Sequence, residues 1–257
     1  MRSPSDAVEG LLSLGFRASS EALQALLEQC TKSRSSPVEV CEKLVALERR
    51  ERELKNLETR TRTATLGTFK TLDVFNWSHP KEIDRPLYEQ LLSLDFIEQR
   101  ENVLFRGQSG VGKTMLAQNL GHAALQKGYT VRFSTLAAAL ADLLKQESIP
   151  AFERRLHRYT SPDLLILDEL GYVPSDSRAA DILYNIISRR HETASTVLTT
   201  NLAFKQWSSV FAGAACVVAL VDRFAQHLHT IDITAESWRQ TRNDPPPPRP
   251  PRRRAKR

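Results

Sequence analysis

Eight consecutive residues near the middle of the chain carry a complete phosphate-binding pattern. The run Gly107-Gln108-Ser109-Gly110-Val111-Gly112-Lys113-Thr114 satisfies GxxxxGK[ST] at every position. Its glycines allow a tight backbone wrap, so that N–H groups and the positive end of a following helix face a phosphate. Lys113 is expected to neutralise the β- and γ-phosphates, and the Thr114 hydroxyl to ligate Mg²⁺. The sequence therefore predicts a nucleotide-binding loop.

Two carboxylates and an amide follow apolar runs further along the chain. Asp168-Glu169 ends the run Leu164–Leu167, and Asn201 ends the run Val197–Thr200. Ligands bind at the carboxyl ends of strands in an α/β sheet, so we expect Asp168 to hold magnesium there. Glu169 is expected to polarise an attacking water, and the Asn201 amide to orient that water or the γ-phosphate. Together these residues predict hydrolysis of the nucleotide.

The elements that position these residues alternate along the chain. Five apolar or β-branched runs are separated by helical stretches, an order that favours a parallel sheet with helices on both faces. The predicted strands are Asn102–Arg106, Tyr129–Ser134, Leu164–Asp168, Thr196–Thr200 and His229–Ile233. We therefore expect an α/β domain over residues 66–244 with a five-stranded parallel sheet. In it, the strand before Asn201 lies beside the strand that carries Asp168.

Residues 1–65 predict a small all-helical domain. One short helix ends near Gly15, a second includes Ala22–Leu27, and a third begins after Pro37. Polar, threonine-rich residues from Thr59 to Thr68 predict a linker to the next domain.

Charged residues line one side of the third predicted helix. Glu48 and Arg52, and Glu51 and Lys55, are spaced i,i+4, which is typical of a solvated face. Two groups of basic residues could contact phosphate or could simply be solvated. They are Arg49, Arg50, Arg52, Lys55, Arg60 and Arg62 in this helix, and Arg154, Arg155, His157 and Arg158 in a later one.

The net charge is concentrated at one end of the chain. The 257 residues carry a formal charge of +6 and a pI of about 9.4. Residues 245–257 hold six bases and no acid, so residues 1–244 are neutral overall. Four consecutive prolines at the start of this segment exclude helix and core, and predict an extended, disordered tail.

Composition narrows the class of protein. Three cysteines (Cys30, Cys41 and Cys216) are an odd number without CxxC spacing, which favours reduced thiols in the cytoplasm and excludes a structural zinc site. The longest apolar run, Phe211–Val221, is too short for a membrane span of about 18–20 residues. The N-terminus has no continuous apolar segment typical of a secretory signal. We expect a cytoplasmic protein without a membrane partner.

Beyond these motifs, the sequence resembles the AAA+ ATPases of the IstB/DnaC group, and specifically the IstB-like transposition helper proteins of insertion sequences. The resemblance covers about residues 65–240. Besides the loop, it is carried by Thr71–Phe75, Ile83–Arg85, Leu94–Glu98, Leu164–Pro174, Thr199–Asn201, Phe204–Trp207 and Asp222–Phe224. Residues Leu202-Ala203, Phe224 and Trp238 depart from the usual pattern without removing a catalytic group.

The resemblance implies a fold, a mechanism and partners. It implies an AAA+ P-loop ATPase that uses ATP and Mg²⁺, with Asn201 at the sensor-one position. Arg223 matches the arginine finger, which reaches the nucleotide of a neighbouring subunit, and Arg239 matches the sensor-two arginine. It further implies ATP-dependent assembly of a homo-oligomer on duplex DNA and delivery of that DNA to a transposase. Separately, we expect the N-terminal helical domain, residues 1–65, to contact other subunits, DNA or the partner.

Three other functions remain open from the sequence. A DnaC-like loader of a replicative helicase would share the ATPase core, although the Phe204–Trp207 block favours the transposition helper. A small-molecule kinase would need an acceptor site and an arginine-bearing lid instead of the carboxylate pair. A DNA-binding module that uses ATP only as a structural ligand would not need Glu169.

Overall fold

The structure, a computed structural model, describes residues 4–171, 177–211 and 215–238. The chain divides into two compact units, Met1–Thr63 and Ala64–Arg257. The first unit is helical, and the second contains the sheet. In the described part of the chain, no helix combines the length and the apolar character needed to cross a membrane.

The first unit is built from three helices. They are α1 (Pro4–Ser13), α2 (Ser20–Lys32) and α3 (Pro37–Ala64). Val8, Ala18 and Leu23 form a small buried core. Beside it the Glu48 carboxylate accepts hydrogen bonds from the backbone N–H groups of Arg17 (2.9 and 2.8 Å) and Ala18 (3.1 Å). The predicted solvated face is therefore wrong at Glu48, which is only 7% exposed because it binds these amides.

The predicted linker is also wrong in its first half. Helix α3 continues through Thr59 to Ala64, since no proline or glycine interrupts it there. The helix ends where Thr65 (φ 56°) and Gly67 (φ 67°) adopt left-handed backbone conformations.

The sheet of the second unit has six strands among the described residues, in the order β1-β6-β2-β5-β4-β3. The strands are β1 (Glu82–Ile83), β2 (Asn102–Gly107), β3 (Val131–Thr135), β4 (Leu164–Leu170), β5 (Ser195–Thr200) and β6 (Leu228–Thr234). Strands β2 to β6 pair in parallel, and β4 lies beside β5, as predicted. The expectation of a five-stranded, all-parallel sheet is wrong at one edge, because β1 adds an antiparallel strand. Two residues are too few to show the alternation from which strands are predicted.

Helices flank the sheet. Those of the second unit are α4 (Arg85–Leu91), α5 (Asp95–Glu98), α6 (Lys113–Lys127), α7 (Leu136–Leu144), α8 (Ile149–Thr160), α9 (Ser177–Arg190), α10 (Phe204–Val210) and α11 (Cys216–Ala225). A 3₁₀ helix covers Leu72–Val74. Several caps match their sequence: Asp84, Thr135 and Ser148 accept backbone N–H groups at the starts of α4, α7 and α8.

Strand β4, which lies between β5 and β3, is buried on both faces. Leu165 and Leu167 belong to a core cluster formed with α7 to α11, whereas Ile166 points to the opposite face. There α6 approaches so closely that a Cβ on Gly121 would lie 2.7 Å from the Ile166 Cδ1 atom. Residues on both faces of β4 are therefore fixed by packing, and so is the position of its carboxyl end.

Candidate nucleotide-binding site

The phosphate-binding loop connects strand β2 to helix α6. Gly110 (φ 81°) and Gly112 (φ 100°) have left-handed backbone conformations that favour glycine. A Cβ at Gly112 would lie 2.7 Å from the Phe75 ring, and one at Gly110 would collide with the Ser237 hydroxyl. The backbone conformation and the close neighbours therefore both require glycine at these two positions.

Lys113 begins helix α6, and its side chain folds back over the loop. The ammonium group donates hydrogen bonds to the carbonyl oxygens of Gly107 (2.8 Å) and Gln108 (2.7 Å). These carbonyl oxygens hold the ammonium group over the loop. The charge is thus placed where the loop would receive an anion.

Three oxygen-bearing side chains meet at the end of strand β4. The Thr114 hydroxyl lies 3.0 Å from both carboxylate oxygens of Asp168 and donates to them. The Thr199 hydroxyl, on the neighbouring strand β5, donates to the same carboxylate. Asp168 is only 3% exposed, and Thr199 is fully buried. The structure therefore brings together the two predicted magnesium ligands, Thr114 and Asp168, and adds a threonine that the sequence analysis missed.

The backbone of Glu169, the residue after Asp168, adopts an unusual left-handed conformation. Its φ is 62°, and the register of β4 against β5 shifts between Leu167 and Leu170. Its N–H group donates to the Thr199 hydroxyl (3.0 Å), so one threonine holds both carboxylate residues. The Glu169 side chain is exposed and lines the cavity beside the phosphate-binding loop. Residues other than glycine seldom adopt a left-handed backbone conformation, which costs about 1–3 kcal/mol. Such strained residues are concentrated at functional sites.

Asn201 lies just past the end of β5 and lines the same cavity as Glu169. Its amide oxygen would be 2.7 Å from a Cβ at Gly171, where φ is 153°. Gly171 thus leaves room for the amide. The predicted neighbours Glu169 and Asn201 share one cavity, at the carboxyl ends of adjacent strands.

The cavity has a volume of about 420 Å³. Residues from the loop, from both strand ends and from the segment before α4 line it, including Lys70, Ser109, Lys113, Thr114, Glu169, Thr200 and Asn201. In the part of the chain that is described, no cluster of three or more His, Cys, Asp or Glu side chains could hold a metal ion. A magnesium ion at Thr114 and Asp168 would need further oxygen ligands, such as those of phosphates and water.

A second, mostly apolar cavity of about 530 Å³ adjoins the first and shares five of its lining residues. Its walls include Phe69, Val74, Phe75, His79, Val111, Met115 and Trp238. The backbone N–H of Trp238 donates to the Gly110 carbonyl oxygen (3.1 Å), and the Trp238 ring contacts His79 with 4.5 Å between the ring centroids. Apart from Val111, which belongs to the predicted phosphate-binding loop, no nucleotide-binding role was predicted for these residues. They are far apart in the sequence, and only the aromatic content of Phe69–His79 could have indicated them.

Of the two arginines predicted to act on the nucleotide, the structure describes one. Arg239 lies outside the described residues. Arg223 lies on helix α11 and lines neither of the two cavities. It contacts Tyr184 and Ser188 of helix α9 instead. The site of a single chain is thus formed without Arg223.

A family profile and individual relatives both match this chain and agree on one protein family. The sequence profile of the family described as IstB-like ATP binding protein matches residues 10–244. The protein named insertion sequence IS21 putative ATP-binding protein, from Pseudomonas aeruginosa, is 35% identical over 217 residues, 84% of this chain and 82% of that protein. The corresponding IS232 protein of Bacillus thuringiensis subsp. berliner is 35% identical over 202 residues, 79% and 81% of the two chains. The family match extends into the helical unit, beyond the residues that carried the resemblance.

Solved structures support the fold. The crystal structure of DnaI has a TM-score of 0.55 at 17% identity, and covers 64% of this chain and 90% of its own. The crystal structure of the DnaC helicase loader has a TM-score of 0.50 at 20% identity, and covers 64% of this chain and 96% of its own. At these identities the likeness is one of fold, the α/β P-loop fold of AAA+ proteins.

Proposed function

Because the chain belongs to the family of IstB-like ATP-binding proteins, we propose that it hydrolyses ATP to control its assembly on duplex DNA and delivers that DNA to a transposase. The observation that carries the ATPase part is the convergence of Lys113, Thr114, Asp168, Glu169 and Asn201 around one cavity. The transposition part rests on relatives that are named for insertion sequences.

ATP fits the two adjoining cavities. Its phosphates would lie against the loop at Gly110–Thr114, where Lys113 would exchange its two carbonyl partners for phosphate oxygens. Its base would lie in the apolar cavity, whose lining includes Phe75, Met115 and the His79–Trp238 pair. Aromatic walls suit a planar base, since stacking needs no specific hydrogen bond.

A magnesium ion also fits the oxygen ligands that are present. Thr114 would hold it directly, and Asp168 would hold it directly or through water. When bound, Mg²⁺ would neutralise charge that develops on the β- and γ-phosphates. Thr199 would keep the Asp168 carboxylate oriented through its hydrogen bond.

Hydrolysis needs residues that act on water and on the transferred phosphate. Glu169 would accept a proton from the attacking water, and Asn201 would orient that water or the γ-phosphate. Arg223 would donate to the γ-phosphate of a neighbouring subunit, and Arg239 to the nucleotide of its own. A finger supplied in trans makes turnover depend on assembly, because the transition-state charge is not stabilised in a monomer.

Two substitutions test this assignment. Lys113→Ala should lose both ATP binding and hydrolysis. Glu169→Gln should keep ATP binding and lower turnover by about 10²–10⁴-fold, the range typical of a lost general base. Calorimetric titration with ATP and phosphate release in the presence of DNA measure the two properties.

Glu89→Gln is the matched control, since this exposed carboxylate pairs with Arg85 on the surface. It should leave both properties unchanged. If Glu169→Gln turned over ATP at the unchanged rate, the role of Glu169 would be refuted.

DNA contact is proposed to be made mainly with phosphates. Helix α8 exposes Arg154, His157 and Arg158, whereas Arg155 pairs with Asp142 at 3.2 Å. The basic residues of 245–257 would add to this attraction. Affinity for duplex DNA should then fall steeply with salt and show little base preference.

Deletion of residues 245–257 tests the part that the tail plays. It should spare ATP hydrolysis, weaken DNA binding and make the dependence of log K on log salt shallower. Fluorescence anisotropy with labelled duplex DNA at several salt concentrations measures this. An unchanged salt dependence would show that the tail does not contact DNA.

Assembly and partner need separate experiments. Electron microscopy with duplex DNA and a non-hydrolysable ATP analogue should show a nucleotide-dependent oligomer that contacts the DNA. Pull-down should recover a transposase; binding of a hexameric replicative helicase instead would favour a loader.

A further inference from the structure

Arg223 is held by two hydroxyl groups on one face of helix α9. Its Nη1 atom donates hydrogen bonds to the Tyr184 phenol and to the Ser188 hydroxyl, which are four residues apart. The guanidinium carbon also lies over the Tyr184 ring, 4.8 Å from its centroid. All three side chains are half-buried. The position of the guanidinium is thus defined by three contacts from one helix.

The groups that hold Arg223 are neutral, which separates it from other arginines of the protein. Arg106 pairs with Asp232 at 2.6 Å, and Arg189 with Glu153 at 2.6 Å, so each has its charge compensated. Arg223 has no carboxylate partner among the described residues, although Asp222 precedes it in the chain. Hydroxyl groups and an aromatic face fix the guanidinium and leave its positive charge available to an anion.

The contacts of Arg223 use only some of its guanidinium N–H groups. Nη1 is occupied by the two hydroxyls, whereas Nε and Nη2 have no hydrogen-bond partner within the described ranges. Nε and Nη2 form the edge of the guanidinium that binds two oxygens of one phosphate. The contacts therefore leave free the edge that a phosphate would use.

Helix α9 is a rigid platform for this arrangement. Leu183, Ile186 and Ile187 alternate with Tyr184 and Ser188 along the helix and are buried in the main core cluster. The helix ends at Arg190, which is itself fixed by backbone carbonyls. A side chain held by this helix loses little further rotamer freedom when it binds.

From these contacts we infer that Tyr184 and Ser188 are positioning residues that hold Arg223 for insertion into the nucleotide site of a neighbouring subunit. The inference rests on the proposed trans arginine finger. Loss of the two hydroxyls should lower kcat for ATP, since a poorly placed donor stabilises the transition state less. KM should stay unchanged, because each chain's own nucleotide site is intact.

The first experiment compares variants of the full chain in DNA-stimulated ATP hydrolysis. Arg223→Ala should lower kcat by about 10³-fold or more, the range typical of an arginine finger. The double variant Tyr184→Phe/Ser188→Ala keeps the ring and nearly all the volume, and should lower kcat by about tenfold with the same KM. Ser188→Thr, which keeps the hydroxyl, should retain activity. Tyr129→Phe is the matched control, since its hydroxyl binds Glu98 instead (3.0 Å).

The second experiment locates the defect by mixing subunits. Glu169→Gln subunits bind ATP and offer a finger without turnover, so they should restore hydrolysis to Arg223→Ala subunits. Glu169→Gln subunits that also carry Tyr184→Phe/Ser188→Ala should restore about tenfold less hydrolysis. A structural defect confined to the nucleotide site of those subunits would not cause this loss, because that site is already without turnover.

The mixing experiment distinguishes the positioning role of Tyr184 and Ser188 from the trans action of Arg223. Equal restoration by both kinds of Glu169→Gln subunit would overturn the positioning role while leaving the trans finger in place. Full activity of Arg223→Ala on its own, or failure of Glu169→Gln subunits to restore it, would refute the trans finger and the positioning role with it.

Discussion

The two ends of the parallel sheet both bury charged side chains, but they satisfy them with different groups. At the amino end, Arg190 is 1% exposed and donates to backbone carbonyls, among them those of Pro162 (2.8 Å) and Ser195 (2.5 Å), and to the Thr196 hydroxyl (3.0 Å). At the carboxyl end, Asp168 accepts from the hydroxyls of Thr114 and Thr199. Backbone carbonyls cannot move away, whereas the Thr114 hydroxyl can rotate towards a ligand.

The difference indicates a structural role for the amino end and agrees with the functional role proposed for the carboxyl end. Burial lowers the pKa of Arg190 to about 9, so the guanidinium remains charged at neutral pH. Its contacts with the carbonyls of Tyr159 and Thr160 also cap the carboxyl end of helix α8. Every feature of this end favours one permanent arrangement. The carboxyl end instead keeps exchangeable hydrogen bonds beside a cavity.

The largest expected effect is that of removing the buried charge at each end. Arg190→Met should lower the free energy of unfolding by about 3 kcal/mol or more, because several buried carbonyls lose their donor. Asp168→Asn should change it by less than about 1 kcal/mol, yet lower magnesium-dependent ATP hydrolysis by about 10²-fold or more. Urea unfolding followed by tryptophan fluorescence reports on the second unit, since Trp77, Trp207 and Trp238 all belong to it. Similar losses of stability in both variants would contradict the comparison.

A smaller effect is expected from two threonines of strand β5. Thr196 and Thr199 are both buried, one at each end of the strand. Replacing either with valine removes one hydroxyl and should cost about 1 kcal/mol of stability. Only Thr199→Val should also lower kcat, by about tenfold, since it releases Asp168 and the Glu169 backbone. A loss of kcat in folded Thr196→Val would mean that the amino end takes part in function.

The smallest effect extends the comparison to the helical unit. Burial raises the pKa of Glu48, but hydrogen bonds from Arg52, Ala18 and Arg17 more than offset this and hold it below its ordinary value. Its contribution to stability is therefore present above the ordinary pKa of about 4.5 and is lost as pH falls through the lower folded value. Hydrogen exchange at the Arg17 and Ala18 amides should become faster, relative to the intrinsic rate, on going from pH 7 to pH 3. Glu48→Gln should remove this pH dependence, and its persistence would point to another group.

Much of the fold could be predicted because its signals are local. The five parallel strands, the loop between Gly107 and Thr114 and the three N-terminal helices each follow from residues close together in the sequence. The short strand Glu82–Ile83 could not be predicted, since it exists only through its pairing with β6. The burial of Glu48 was missed for a similar reason, as its partners Arg17 and Ala18 lie about thirty residues away.

By itself, the sequence determined which residues could bind a nucleotide and the order of the elements that carry them. Glycine, lysine and carboxylate types at set spacings have few other chemical uses, and strand patterns repeat every two residues. Only the tertiary structure decided that Thr199 holds both Asp168 and Glu169, that aromatic residues from both ends of the second unit form one apolar cavity, and that Tyr184 and Ser188 hold Arg223. These choices depend on contacts between residues distant in sequence, which packing of the sheet and helices brings together and which no local pattern records.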